Sequence, residues 1–334
     1  MQRGAVVGFA LLSACGPRLE GRVLFALTDE GSGVSSVRWV DVSSGEVHAV
    51  ASPCDGSVFP EAPDPLGRAA LVVCSSGGEA DHREGLWLVP FDGGPPVAVG
   101  EPARMVRNPV FEADGGHLWW ESSAQGFRDL YRAARDGSEV QRRVAHPAGN
   151  YEPDPHPRSG DAVFVSSRDG QAELYLASAD GAEPVRWTEA AGDDMAPRWI
   201  PGTDRVAFLT TREGRKRLWT RAESGRTQPL LPTGVGEHEA FVWSPTGDAV
   251  ALTTLPRPGR VQVDVVGLDG GLRWSWTDPA RVAFPAWSPD GRWLVASVGE
   301  ETSATLVVRD AAGGRGRALP TPPGSWLPRW VPMP

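Results

Sequence analysis

The chain is poor in the residues that many enzymes and nucleic-acid binders rely on. Its 334 residues hold only three cysteines and six histidines, and 42 acidic residues outnumber 33 basic ones. A net charge of −9, with the basic residues scattered rather than clustered, argues against a nucleic-acid backbone as partner. The histidines at 48, 82, 117, 146, 156 and 238 nowhere show the His-Glu-x-x-His spacing that sets two metal ligands on one helical face. No Gly-x-Ser-x-Gly elbow occurs, which removes the usual sign of a nucleophilic serine. Glycine-rich phosphate loops and convincing amphipathic helices are missing too. The apolar run from Ala5 to Leu12 is too short to cross a bilayer.

What the chain has in quantity is turn formers and large rings: 40 Gly, 31 Pro and 14 Trp. These fall into three series that run in step. The first places an aromatic or proline ahead of a turn, at Pro63, Phe111, Pro155, Trp199, Trp243, Trp287 and Trp330. A second places an aromatic or valine inside an apolar strand, at Trp39, Trp87, Tyr131, Tyr175, Trp219, Val263 and Val307. The third is a turn glycine, at Gly45, Gly93, Gly137, Gly181, Gly225, Gly270 and Gly313. Most of the intervals are 44 residues. Within one period, short β-rich runs alternate with Gly, Asp and Pro clusters, as in Val206-Ala207-Phe208-Leu209 after Pro201-Gly202-Thr203-Asp204. Four short strands in about 40–45 residues make a propeller blade.

The phase of the series gives the blade count. The first series ends at Trp330 with no later strands to follow it, whereas the other two begin at Trp39 and Gly45 with no opening strand before them. Residues 21–50 therefore supply three strands of a blade whose first strand is Ser325 to Val331. The expected fold is all-β, a seven-bladed β-propeller whose last blade is closed by N- and C-terminal strands. Such closure removes the free edges of a ring. The recurrent tryptophans read as packing between blades, and the Asp-Gly turns as hairpin chemistry in which glycine supplies positive φ.

Trp287-Ser288-Pro289-Asp290-Gly291-Arg292, followed by an apolar run from Trp293 to Ala296, resembles the PD40 repeat of TolB-like propellers. Trp243-Ser244-Pro245-Thr246-Gly247-Asp248 is a near copy. The resemblance covers nearly all of the chain after the first twenty residues. It implies the propeller fold and, at the channel mouth, docking of a segment of another protein. Enzymes share the repeat as well, among them lyases that use several channel histidines.

Arg3, the apolar run and Leu12-Ser13-Ala14-Cys15 together have the layout of a secretory signal. The last four residues resemble the lipobox of bacterial lipoproteins. That resemblance implies cleavage before Cys15, acylation of its thiol, and a stable anchor of two or more acyl chains. Gly16 after the cysteine implies the outer membrane. The expected layout is a signal peptide over 1–14, a tether over 15–20 and the propeller over 21–334. An ordinary signal peptide with an incidental cysteine is the alternative. The other two cysteines, Cys54 and Cys74, fall before and within the opening strands of a blade. In an oxidising compartment they either pair or stay as separate buried thiols.

Function in a propeller is argued from the loops leading into each opening strand. Here these carry Arg107 and Asn108, then Asn150, Tyr151 and Glu152, then Asp193, Asp194 and Met195, then Glu237, His238 and Glu239, and finally Arg281. Asn108, Tyr151, Glu152, Asp193, Asp194, His238, Glu239 and Arg281 are the candidate binding residues. Carboxylates with arginines suit a basic or polar peptide, and the same oxygens suit a hard cation such as Ca²⁺. A solvated mouth that is merely polar is the plain reading of the same residues. The expectation is a non-catalytic, monomeric envelope lipoprotein with no required cofactor, which binds an envelope protein or peptide and meets the membrane through its anchor alone. The alternative is a propeller enzyme of lyase or lactonase type using a channel cation and His238.

Overall fold

The computed structural model describes residues 19–231 and 236–333. The expected signal peptide, Cys15 and the first part of the tether lie outside the described residues. Seven four-stranded antiparallel sheets are formed, with no helix among the described residues. In six of them the strands run in chain order from the axis outwards. Their innermost strands are Ser57–Pro63 in blade 1, Val106–Phe111 in blade 2, Asn150–Pro155 in blade 3, Asp194–Trp199 in blade 4, Glu237–Trp243 in blade 5 and Val282–Trp287 in blade 6. Blade 7 joins the two ends of the chain. Its inner strand is Ser325–Val331, followed outwards by Arg22–Thr28, Ser35–Asp41 and Val47–Ala49. Arg22 pairs with Val331 and Val23 with Trp330, so main-chain hydrogen bonds close the ring.

Each blade is buried on both faces by its neighbours, and the second strand shows this most plainly. Val23 to Ala26, Ala162 to Val165, Val206 to Leu209 and Leu294 to Ala296 are continuous apolar runs at 2% exposure or less. Burying a side chain such as Phe25, Phe164 or Phe208 stabilises by roughly 1.5–3 kcal/mol. The aromatic series of the third strands lies directly across from the second: Trp39 faces Leu24, Tyr131 faces Trp120, Tyr175 faces Phe164 and Trp219 faces Phe208. Such cross-strand pairs fix register as well as burying area.

The opening-strand tryptophans tie one blade to the next. Trp199 Nε1 donates to the Asp154 carbonyl at 3.0 Å, and Trp287 Nε1 to the Val242 carbonyl at 3.1 Å. Trp243, Trp287 and Trp330 are buried in three separate core clusters. The turn glycines of the third series all adopt φ between 81° and 92°. At Gly313 an added Cβ would lie 2.9 Å from the Trp274 ring, so both backbone and space demand glycine there.

A disulfide joins Cys54 to Cys74, with Cα atoms 6.4 Å apart. Cys54 lies on the segment crossing from blade 7 to blade 1, and Cys74 lies in the second strand of blade 1, opposite Val58. The crosslink therefore pins the one crossover that links the composite blade to its successor.

Candidate functional site: the central channel

The seven inner strands pack around the axis and line one cavity of about 420 Å³. Every blade contributes to its wall. The inner strands are irregular in a recurring way, because each carries a register shift part-way along its length. Asn108, Glu152, Ala196, Phe284 and Leu327 all take positive φ near 50–57° at this place, and each precedes a proline. Proline cannot donate to the ladder, so the bulge sits where a strand hydrogen bond is already forfeited.

Backbone N–H groups of the inner strands find acceptors on the preceding blade. Val106 N donates to Glu84 at 2.8 Å, Glu152 N to Glu121 at 2.6 Å, and Ala196 N to Glu152 at 2.6 Å. Trp199 N completes the pattern by donating to the Asp154 carboxylate at 2.7 Å. These carboxylates act first as inter-blade clasps, which satisfies the rule that buried backbone groups are paired.

The structure divides the expected site residues into two groups. Asn108, Glu239 and Arg281 reach the channel. Asn108 also donates to Glu121 at 2.5 Å, Glu239 is exposed and pairs with Lys216 at 2.9 Å, and the Arg281 guanidinium lies 5.6 Å from the centre of the Phe284 ring. The others are engaged within and between blades. Asp194 is fully buried and binds Arg212 through both carboxylate oxygens, at 2.9 and 2.7 Å. Asp193 accepts from Ala172 N at 3.1 Å, and Glu152 clasps Ala196 as described. The Tyr151 hydroxyl lies 2.7 Å from Ser167 Oγ, with Arg128 over its ring. His238 is 1% exposed and its Nδ1 accepts from Leu218 N at 2.9 Å, which puts the ring proton on Nε2. Burial, reinforced by the charge of Arg217, lowers its pKa to about 4, so the ring is neutral at physiological pH.

Charged groups not anticipated from the sequence occupy the wall instead. Asp154, Arg198 and Arg329 hold the position immediately before the opening aromatic or proline of their blades, and Glu61 lies one residue earlier in blade 1. In the other four blades that same position is Ala62, Val110, Val242 or Ala286. The signal was available in the repeat register, since three of seven copies break an apolar position with a charge. Burial raises the Asp154 pKa to about 6, against the opposing pull of Arg198 and the Trp199 N–H. Asp154 is half-buried on the channel wall, and the protein packed round it sets the shift. Burial likewise pushes the Glu61 carboxyl up and the Arg329 guanidinium down, each partly offset by the other's charge.

Phe241, Phe284, Pro109, Pro153 and Pro285 complete an apolar lining. Among the described residues, no histidine, cysteine or serine lines this cavity. Among the described residues no group of three or more His, Cys, Asp or Glu is placed to hold a metal ion. Nor is any helix among them long and apolar enough to cross a membrane.

Comparison with known proteins agrees with this architecture. Curated protein sequences give no match. Among solved structures, TolB from Acinetobacter baumannii superposes with a TM-score of 0.60 at 17% identity, covering 94% of this chain and 67% of that one. A prolyl endopeptidase superposes at 0.69 with 13% identity, over 90% of this chain and 48% of its own, so this chain spans about half its length. An oligogalacturonate lyase in complex with manganese gives 0.59 at 14% identity, over 90% and 85% of the two chains. At such identities the likeness is one of fold. The model of the TolB beta propeller domain, PD40, matches residues 146–333. With more than half its length matched, and with the repeat, the ring of seven blades and the composite closure in place, the chain belongs to the TolB β-propeller (PD40) family.

Proposed function

We propose that this protein is a non-catalytic envelope binding module, held to the membrane by acylated Cys15, which receives a segment of another envelope protein at its channel mouth. The observation that carries the reading is the make-up of the channel. Its wall joins apolar surface from Phe241, Phe284 and small or branched side chains to a few charged groups. Concave, mostly apolar surface with a small number of placed polar groups is what binding sites have in common. Glu239 and Arg281 stand exposed beside that wall, where they can meet polar atoms of an incoming chain.

The alternative enzyme reading leans on His238, and the ring of that residue is turned into blade packing, with Nδ1 committed to Leu218 N. The lipobox-like Leu12-Ser13-Ala14-Cys15 supports placement in the envelope, as does the likeness to TolB.

Photo-crosslinking in intact cells tests the proposal. A photoreactive side chain replaces Phe284 in the channel or, as a control, Val185, which is 64% exposed on the outer strand of blade 3. A discrete adduct is expected from position 284 alone, and Glu239→Ala with Arg281→Ala should abolish it. Equal adducts from both positions, or none from position 284, would overturn the reading.

A further inference from the structure

Six charged side chains line the channel wall; Glu239 and Arg281 are exposed, and the four less exposed ones fall in two sets. Asp154 and Arg198 belong to the adjacent blades 3 and 4, whereas Arg329 and Glu61 belong to the adjacent blades 7 and 1. Counting round a seven-membered ring, these two sets stand across the channel from each other. Between them lie Val110 and Pro109 of blade 2 on one side, and Phe241, Val242, Phe284 and Pro285 of blades 5 and 6 on the other.

None of the four charges is neutralised by direct contact. Among the described residues, no N–O distance of 4.0 Å or less joins either arginine to either acid, nor any of the four to another ionised side chain. Arg198 donates to the carbonyl of Pro197 at 2.7 Å, and Arg329 to those of Glu61 and Pro328 at 2.9 and 3.1 Å. Carbonyl contacts orient a guanidinium without cancelling its charge. Asp154 accepts one backbone N–H and keeps the other oxygen unengaged. Charges enclosed by protein are ordinarily paired, because desolvation is otherwise uncompensated. Here the wall holds them apart and leaves them facing the cavity.

Burial favours the neutral form of Glu61, against the pull of Arg329 and Arg107, and the charges of Glu84 and Glu121 add to it. Asp154, with one oxygen free, and Arg329, held by two carbonyls, stand on opposite sides of the channel.

We infer that the channel binds the two free ends of a short unblocked peptide, its ammonium at Asp154 and its carboxylate at Arg329, with the apolar side chains between taking the body. The inference rests on the binding reading above and names the chemical class that its deepest part accepts. A planar guanidinium and a carboxylate are each suited to a charge-assisted hydrogen bond. A cavity of 420 Å³ is of the size that small ligands occupy, and an extended tripeptide spans at most about 11 Å. Selection comes from both ends together: a blocked end would leave Asp154 or Arg329 enclosed without a partner.

The test is calorimetric titration of the full chain with the tripeptide Ala-Phe-Ala, free or blocked at one end. The free peptide is expected to bind saturably, and N-acetylation or C-amidation each to weaken it by about tenfold or more, the worth of one charge-assisted contact. Asp154→Asn should remove the penalty of acetylation and leave that of amidation, and Arg329→Gln the reverse. Blocked peptides probe the unaltered protein, so the result stands even if a variant folds poorly. No saturable binding up to about 10 mM, a free energy near −2.7 kcal/mol, would overturn the inference, as would equal affinity for free and blocked peptides. If the crosslink from position 284 persists without tripeptide binding, the ligand class is wrong and the binding module stands. Loss of both removes the two together.

Discussion

Asp154 carries a charge that its surroundings make costly. Protein packs round it on the wall, no cationic side chain among the described residues touches it, and its pKa stands near 6 against an ordinary 3.8. Because the folded state holds this proton more tightly than the unfolded chain does, stability falls as pH rises through the window from about 4 to about 6. Ionising a carboxyl held that far above its ordinary value costs about 3 kcal/mol at neutral pH. Asp154→Asn keeps an acceptor for Trp199 N but never ionises. It is predicted to stabilise the protein at pH 7 by about 2–3 kcal/mol and to have little effect at pH 4, as read from urea unfolding at the two pH values. An Asn variant no more stable than its parent at pH 7 would show that the charge costs nothing. Retaining a destabilising carboxylate on a cavity wall is what a ligand-facing group does, since sites for binding are drawn from such perturbed residues. Sequence reading overlooks Asp154 because it sits inside a strand, one residue before the repeat's marker, where apolar neighbours in other blades suggest packing. Asp194 draws notice instead as part of a polar loop, and the fold spends it on Arg212, at 2.7 Å inside blade 4.

At the scale of strands and blades, most of the architecture is legible in the sequence. Three series in step give the period, their phase gives the seventh blade, and each series has a physical reason: cross-strand aromatic faces, tryptophans reaching the preceding blade's carbonyls, and left-handed glycine turns. The bulges of the inner strands are not legible. They depend on which N–H groups the neighbouring blade can accept, and that is a contact between residues 22 to 45 positions apart. The Cys54–Cys74 bond is left open by sequence, because pairing requires a geometry that spacing alone does not supply. It closes a loop of 20 residues at the crossover from blade 7 to blade 1. Cys54→Ser with Cys74→Ser is predicted to cost roughly 3 kcal/mol in the chain-entropy account, measured as a lower urea midpoint at unchanged slope. A double variant as stable as the parent would mean that the crossover is already fixed by strand pairing.

For the whole molecule, the ring is what turns seven modest departures into one site. Each blade alone offers the axis a short bulged strand with one or two unusual side chains. Closure through Arg22–Thr28 and Ser325–Val331 holds those strands together, so that side chains far apart in sequence, such as Glu61 and Arg329, influence each other's charge. If binding happens inside this ring, plugging the ring should end it. Ala240, exposed on the inner strand of blade 5 and part of the channel wall, is replaced by Trp, and the partner captured by crosslinking is titrated against plugged and parent proteins. Affinity is predicted to fall by about a hundredfold or more, equivalent to about 2.7 kcal/mol, at an unchanged melting temperature. Undiminished affinity in the plugged, fully folded protein would contradict binding within the channel and move the interaction to the outside of the ring.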